Sequence, residues 1–386
     1  MQDGRLKIAV VHAHPLERYP PATNAIDYFG RRQGTDVLVV SVESPSNIST
    51  YLNPACEIHR IPFRDPSASS VSNAVQGFLW HWKAARIMAS WKPDVIFYWD
   101  PQSALACYLC LRWMGCKAAL FVHHHEYHAP QDFHRVGMRT ARIGHYFERR
   151  WLFPRASWIS QTNAERMRLL HRDVPSLTDE QSRVMPNYPP KAWIERCCSE
   201  LTSRRGDTLR LVYVGSLSLE DTFIGPLVDW LLAHPTAGVT LDVFTNNCEQ
   251  RTLQFLRDAN GAIIRLHEAG VDYQEIPDVL ADFDVGVVLY RCNTTNYVYN
   301  ASNKLFEYLT CGLDVWYPPP MLGVKPYARY NAWPRVVEVD FEDLDNLDLN
   351  KLRSRDGLPN VPWTETCESQ LAILEAEMRK KLGARK

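Results

Sequence analysis

Asn300-Ala301-Ser302-Asn303-Lys304-Leu305-Phe306-Glu307-Tyr308-Leu309-Thr310-Cys311-Gly312-Leu313 decides how this chain is read. Small polar residues open the stretch and Gly312 closes it, which is the punctuation of a helix with Ser302 or Asn303 as N-cap. Lys304 falls in the first turn, and Glu307 follows one turn later on the same side. A helix start that offers free N–H groups, a hydroxyl and an ammonium is an anion site, and a carboxylate one turn deeper accepts bonds from sugar hydroxyls. The same pattern fits an ordinary amphipathic helix, with Leu305, Phe306 and Leu309 in a core and Lys304 and Glu307 in water. What precedes the helix decides between the two.

Upstream, short apolar strands alternate with helices. Leu209 to Val214 reads as a strand ending in Gly215-Ser216, Phe223 to Ala233 as a helix, and Val239 to Phe244 as a strand. Glu249 to Asn260 is helical, Ala262 to His267 a strand, Gln274 to Ala281 a short helix, and Val285 to Tyr290 the strand before the quoted helix. The first half has the same rhythm: strands at Lys7–Val11, Asp36–Val42, Pro93–Trp99, Ala118–Val122 and Ser157–Ser160, with helices at Asn24–Arg32, Ala74–Trp91, Ser103–Met114 and Asp132–Phe153. Continuous apolar strands separated by helices predict parallel sheets covered on both faces, with ligands beyond the carboxyl ends of the strands. The Pro-rich Val184–Pro190 breaks the pattern and reads as a linker.

At 386 residues the chain exceeds one ordinary core, so two domains are expected. Its formal net charge of -1 argues against a nucleic-acid binder that relies on bulk charge. Met1–Lys7 leads directly into the first strand, and no apolar run approaches the roughly 20 residues that span a bilayer. A cytoplasmic protein is expected, with a surface able to rest on the inner face of a membrane. The 10 cysteines form no metal pattern, and Cys107-x-x-Cys110 lies inside an apolar helical run, so buried free thiols are the better reading.

The quoted stretch, with the strands from Leu209 onward, resembles the nucleotide-sugar-binding signature of GT-B glycosyltransferases of the family 4/group 1 superfamily. That resemblance implies an α/β fold of two Rossmann-like domains facing across a cleft. Residues 1–186 would form the acceptor domain, 187–363 the donor domain, and 364–386 a C-terminal helix crossing back to the first. It implies transfer of a sugar from a nucleoside-diphosphate sugar to an acceptor hydroxyl, on a growing glycan or a lipid-linked glycan. Ser302, Asn303 and Lys304 would face phosphate and Glu307 ribose, with Gly215 and Ser216 at the donor phosphates. The turn Glu268–Tyr273 would border the base, with Tyr273 stacked on it; a capped turn with Asp272 as N-cap fits equally well.

Two departures from the family stand out. A second glutamate eight positions before the one matching Glu307 is replaced by Tyr299, and no acid occurs from Tyr290 to Phe306. Sugar recognition is left to Asn293, Asn296, Tyr299 or Asn300. Where relatives carry a Gly-Gly pair after the first strand, this chain has Pro20-Pro21-Ala22-Thr23-Asn24. On the acceptor side, Asp100, His125 and Glu126 stand at strand ends as candidates to take a hydroxyl proton or contact the sugar. His123-His124-His125 do not suit one metal ion, because adjacent strand residues point to opposite faces. No metal or other cofactor is expected, since a lysine and a helix start can carry the leaving diphosphate. The basic, aromatic run Arg135–Arg155 is either a membrane-facing surface or a solvated face over a core. Two further functions fit: an epimerase or hydrolase acting on nucleotide sugars, or a non-catalytic partner that keeps the fold.

Overall fold

The computed structural model describes residues 5–44, 49–63, 70–135, 137–197 and 208–383. The chain divides into two units, Met1–Pro186 with Cys367–Lys386, and Asn187–Thr366. In the first unit the elements run β1 (Leu6–His12), α1 (Pro20–Gly30), β2 (Thr35–Val42), β3 (Glu57–Ile61), α2 (Ser70–Trp91), β4 (Val95–Trp99), α3 (Asp100–Tyr108), β5 (Ala119–His124), α4 (Arg139–Phe147), β6 (Ala156–Gln161), α5 (Ala164–Asp173) and β7 (Ser182–Val184). The second unit contains α6 (Lys191–Cys197), β8 (Leu209–Val214), α7 (Ile224–Ala233), β9 (Val239–Phe244), α8 (Gln250–Ala259), β10 (Ile264–His267), α9 (Ile276–Leu280), β11 (Val285–Val287), α10 (Thr295–Val298), α11 (Asn303–Thr310), β12 (Asp314–Tyr317), β13 (Val336–Glu338) and α12 (Leu349–Arg353). The last helix, α13 (Cys367–Gly383), belongs to the first unit.

Both sheets are parallel throughout. Among the described residues the first has 7 strands in the order β3-β2-β1-β4-β5-β6-β7, and the second has 6 in the order β10-β9-β8-β11-β12-β13. Each order reverses once, between β1 and β4 in the first unit and between β8 and β11 in the second, and such reversals open the crevice where ligands bind. Register there is firm: Ile8 pairs with Val37 on one side and Val95 on the other, and Val212 pairs with Gly286. Alternation sends Ala9, Val11, Val40, Ile96 and Tyr98 to one face of the first sheet, under α2 and α3. The opposite face, with Ile8, Val10, Phe97 and Phe121, is covered by α1 and α13.

Several elements differ from the sequence reading. The helix expected over Ser103–Met114 starts at Asp100 and passes at Leu109–Trp113 into a π-helical turn. The long helix expected over Asp132–Phe153 is broken: Gly137 takes φ +86°, α4 begins at Arg139, and Glu148–Leu152 is a second π-helical turn. Gly144 lets α4 press onto α3, because a Cβ there would lie 1.7 Å from the Pro101 carbonyl oxygen. Strands β3, β7 and β13 were unforeseen; two have only three residues, and β3 is half exposed.

Candidate functional site

In the second unit the site is built on the reversal between β8 and β11. Gly215 follows β8 with φ +125°, and a Cβ there would meet Lys304 Nζ at 2.9 Å. A glycine is therefore required twice over, for backbone angle and for space. Lys304 lies in the first turn of α11, its ammonium 5.2 Å from the Tyr213 ring centroid and 5.6 Å from that of Tyr290. Nζ donates to Tyr290 Oη at 3.4 Å. Burial would lower its pKa, but the two phenol groups and Glu307 raise it, so the ammonium stays charged.

Tyr308 anchors this arrangement. Its ring crosses Gly286 of β11, where a Cβ would lie 2.1 Å from it, and its hydroxyl accepts the Val214 N–H at 3.1 Å. One side chain of α11 thus fixes the end of β8 immediately before Gly215. Glu307 is 6 % exposed, and no hydrogen-bond donor reaches its carboxylate among the described residues. Burial pushes its pKa up to about 7 against the opposing pull of Lys304. Ser302 takes the extended N-cap conformation without capping the helix, and Ser302 Oγ and Asn303 Oδ1 are buried with no partner among the described residues. A cation, an uncapped helix start and two orphan polar atoms converge, an arrangement suited to a polar ligand.

The other expected donor residues lie around this centre or apart from it. Ser216 Oγ accepts from Asn247 at 2.8 Å, and its carbonyl accepts from Tyr213 Oη at 2.6 Å. Asn293 donates to Asp221 at 2.7 Å. Asn300 gives its backbone N–H to the Tyr297 carbonyl. Tyr273 packs on Trp193 of α6, with ring centroids 4.8 Å apart. Unforeseen was the imidazole of His267, which lies flat on Phe244 at 4.0 Å and is held by Asp242 at 2.7 Å.

In the first unit Asp100, His125 and Glu126 come together. Asp100 has φ +59°, a region that Asp and Asn enter more readily than other non-glycine residues, and its carboxylate accepts the N–H groups of His125 at 2.8 Å and Glu126 at 3.4 Å. Burial raises Asp100 to about 7 and lowers His125 to about 4. Glu126 is exposed, 3.6 Å from His128 Nε2. His12, the last residue of β1, is not among the residues chosen from sequence. Its ring is fully buried with both nitrogens unpartnered among the described residues, edge-on to Tyr19 at 4.4 Å. His124 points the other way: Glu148 accepts from its Nε2 at 2.8 Å, from Tyr98 Oη at 3.0 Å and from His145 Nδ1 at 3.2 Å. No group of His, Cys, Asp and Glu residues suited to a metal ion occurs among the described residues.

No protein-family model and no curated protein sequence matches the chain. Solved structures do. Anabaena HepE, in complex with UDP and glucose, is similar over 98 % of this chain and 99 % of its own, with a TM-score of 0.60 and 11 % identity. The fold is GT-B. Sucrose-phosphate synthase from Thermosynechococcus elongatus matches 99 % of this chain and 100 % of its own, with a TM-score of 0.63 and 13 % identity. The UDP-GlcNAc 2-epimerase from Neisseria meningitidis, bound to UDP-GlcNAc, matches 97 % and 100 % respectively, with a TM-score of 0.61 and 10 % identity. The two Rossmann-like units, each with one strand-order reversal, are the architecture expected from the sequence.

Proposed function

We propose that this chain is a glycosyltransferase that moves a sugar from a nucleoside-diphosphate sugar onto an acceptor hydroxyl. The observation that carries the reading is the enclosed Lys304 ammonium against Gly215, beside the orphan Ser302 Oγ and Asn303 Oδ1 at the uncapped start of α11. A diphosphate would accept from Lys304 and from the first N–H groups of the helix, and the ammonium would stabilise the charge that grows as the sugar–phosphate bond breaks. Glu307, one turn deeper and short of donors, would accept from ribose hydroxyls. Because HepE and the epimerase were captured with UDP or a UDP-sugar, uridine is the first base to try.

The hydroxyl proton would pass to the Asp100–His125–Glu126 set of the first unit. A carboxyl near pKa 7 suits a general base at neutral pH. The acceptor would be a growing glycan or a lipid-linked glycan, and a lipid-linked one would place Arg135–Arg155 against the inner face of a membrane.

Thermal-shift measurements with UDP-, GDP-, ADP- and CMP-sugars test the donor assignment, because a ligand bound only to the native state raises its apparent stability. Lys304→Ala should abolish the shift and lower transfer by about a hundredfold or more while the protein stays folded. Glu307→Ala should remove most activity as well; wild-type turnover in both variants refutes the reading. A second reading, epimerisation or hydrolysis of a nucleotide sugar, is favoured by the epimerase neighbours. It predicts product without any acceptor. A non-catalytic partner would bind nucleotide and release none when a native acceptor extract is supplied.

A further inference from the structure

Helix α2 is apolar on two faces. Trp80, Ala84, Ala85 and Met88 are buried against the first sheet. Its outward face carries Val75, Phe78, Leu79 and Trp82, exposed by 54, 54, 44 and 36 %, at the spacing of adjacent turns of one helix. Isolated exposed apolar residues need no explanation, but a stripe of four does. The neighbouring elements of the same helical layer continue the theme. The π-helical turn Leu109–Trp113 presents Trp113, 71 % exposed, and α4 presents Ile143 and Tyr146, 41 and 59 % exposed.

Charge follows the same layer. Lys83 and Arg86 are exposed on α2, as are Arg112 and Lys117 around the π-helical turn. Arg139, Arg142, Arg149 and Arg150 are exposed along α4 and the turn after it. In these three stretches the one acid among the described residues is Glu148, which is fully buried. The whole chain has a formal net charge of -1, so the cations are segregated onto this layer rather than spread over a basic protein. Between the π-helical turn and the start of β5 lies a cleft of about 570 Å³, lined by Leu111, Cys116, Lys117, Ala118, Leu120 and Arg155. It joins apolar walls to two cations.

We infer that the α2–α4 layer docks on an anionic phospholipid surface, with the α2 stripe and Trp113 entering the headgroup–acyl boundary and a lipid phosphate seated between Lys117 and Arg155. Aromatic and aliphatic side chains ringed by arginine and lysine match that boundary on both counts, apolar depth and negative charge. A protein partner would need a concave acidic surface with an apolar groove, for which nothing on this layer argues. The contact reaches beyond the arginine-rich segment, because α2 lies outside it, and it does not depend on sugar transfer.

Vesicle flotation of the full chain, without nucleotide, tests this. Wild type should bind vesicles holding about 30 % phosphatidylglycerol at least tenfold more than pure phosphatidylcholine, and lose most of that preference when salt rises from about 0.1 to about 0.5 M. The triple variant Phe78→Ser/Leu79→Ser/Trp82→Ser and the double variant Arg139→Glu/Arg142→Glu should each bind about tenfold less. Lys380→Glu/Lys381→Glu on α13 should bind as wild type. If the serine variant does not fold, quenching of wild-type tryptophan fluorescence by brominated acyl chains reports the same insertion. Equal binding to neutral vesicles, no quenching, or undiminished binding of the folded α2 and α4 variants overturns the proposal. So does a dimer that the α2 variant dissolves while vesicle binding is unchanged, which would assign the stripe to a second copy.

Discussion

Two of the buried glutamates, Glu148 of the first unit and Glu307 of the second, are held in opposite ways. Glu148 is fully buried and accepts from Tyr98, His124 and His145; burial alone would raise its pKa, but the two histidines take it down to about 2. Glu307 is nearly as buried, receives no hydrogen bond among the described residues, and rises to about 7. A carboxylate that the fold has fully satisfied belongs to the fold. One left short of donors beside a lysine and an open helix start is a candidate for binding. The difference marks Glu148 as scaffold and Glu307 as a site candidate without reference to any relative.

Breaking the satisfied glutamate should produce the largest change. Glu148→Ala leaves His124 and His145 without their acceptor and should cost about 4 kcal/mol in chemical denaturation, while any nucleotide-sugar shift of the second unit persists. Next comes Gly215→Ala, which forces a side chain into φ +125° and against the ammonium. It should cost roughly 2 kcal/mol and abolish the nucleotide-sugar shift, whereas a retained shift would show that Gly215 does not shape the donor site.

The pH dependence sharpens the comparison, because the two groups have opposite signs. Glu148, lowered on folding, contributes stability above its unfolded pKa, and this fades as pH falls toward about 2. Glu307, raised on folding, contributes fully below its unfolded pKa and loses that contribution as pH climbs toward about 7. Glu307→Gln should therefore be more stable than wild type at pH 8 by on the order of 2 kcal/mol and little different at pH 4, read from denaturant midpoints. No gain at pH 8 would mean that the carboxylate has donors after all. The smallest structural effect is expected for Asp100→Asn, which keeps the acceptor for the His125 N–H and suits φ +59°. Its melting temperature should stay within about 2 °C of wild type, while transfer at neutral pH falls about a hundredfold if Asp100 takes the proton. Undiminished transfer would move that role to His125 or Glu126.

The helix from Ser302 to Gly312 could be read in advance because its signals are local: a small polar start, a lysine in the first turn, a closing glycine. The alternation of the sheets was legible for the same reason, since buried parallel strands are continuous apolar runs. Glu148 could not be recognised, because its partners His124 and Tyr98 lie 24 and 50 residues away and only packing joins them. His12 could not be picked out either, since missing partners have no sequence signature. The outer stripe of α2 was hidden too: Trp80 and Trp82 look alike in sequence, and only the folded sheet shows which one faces out.

One consequence follows from α13. Leu371, Leu374 and Met378 complete the same apolar cluster as Ile8, Val10 and Phe97, and Glu375 ties the helix to Tyr28 and Arg32 at 2.9 Å each. Strand β1 and helix α1 thus receive part of their covering from a helix made long after them, Tyr28 and Glu375 being 347 residues apart in the chain. Until α13 has been made, the first unit carries an uncovered greasy flank, which favours chaperone attention in the cell and argues against expressing that unit without α13.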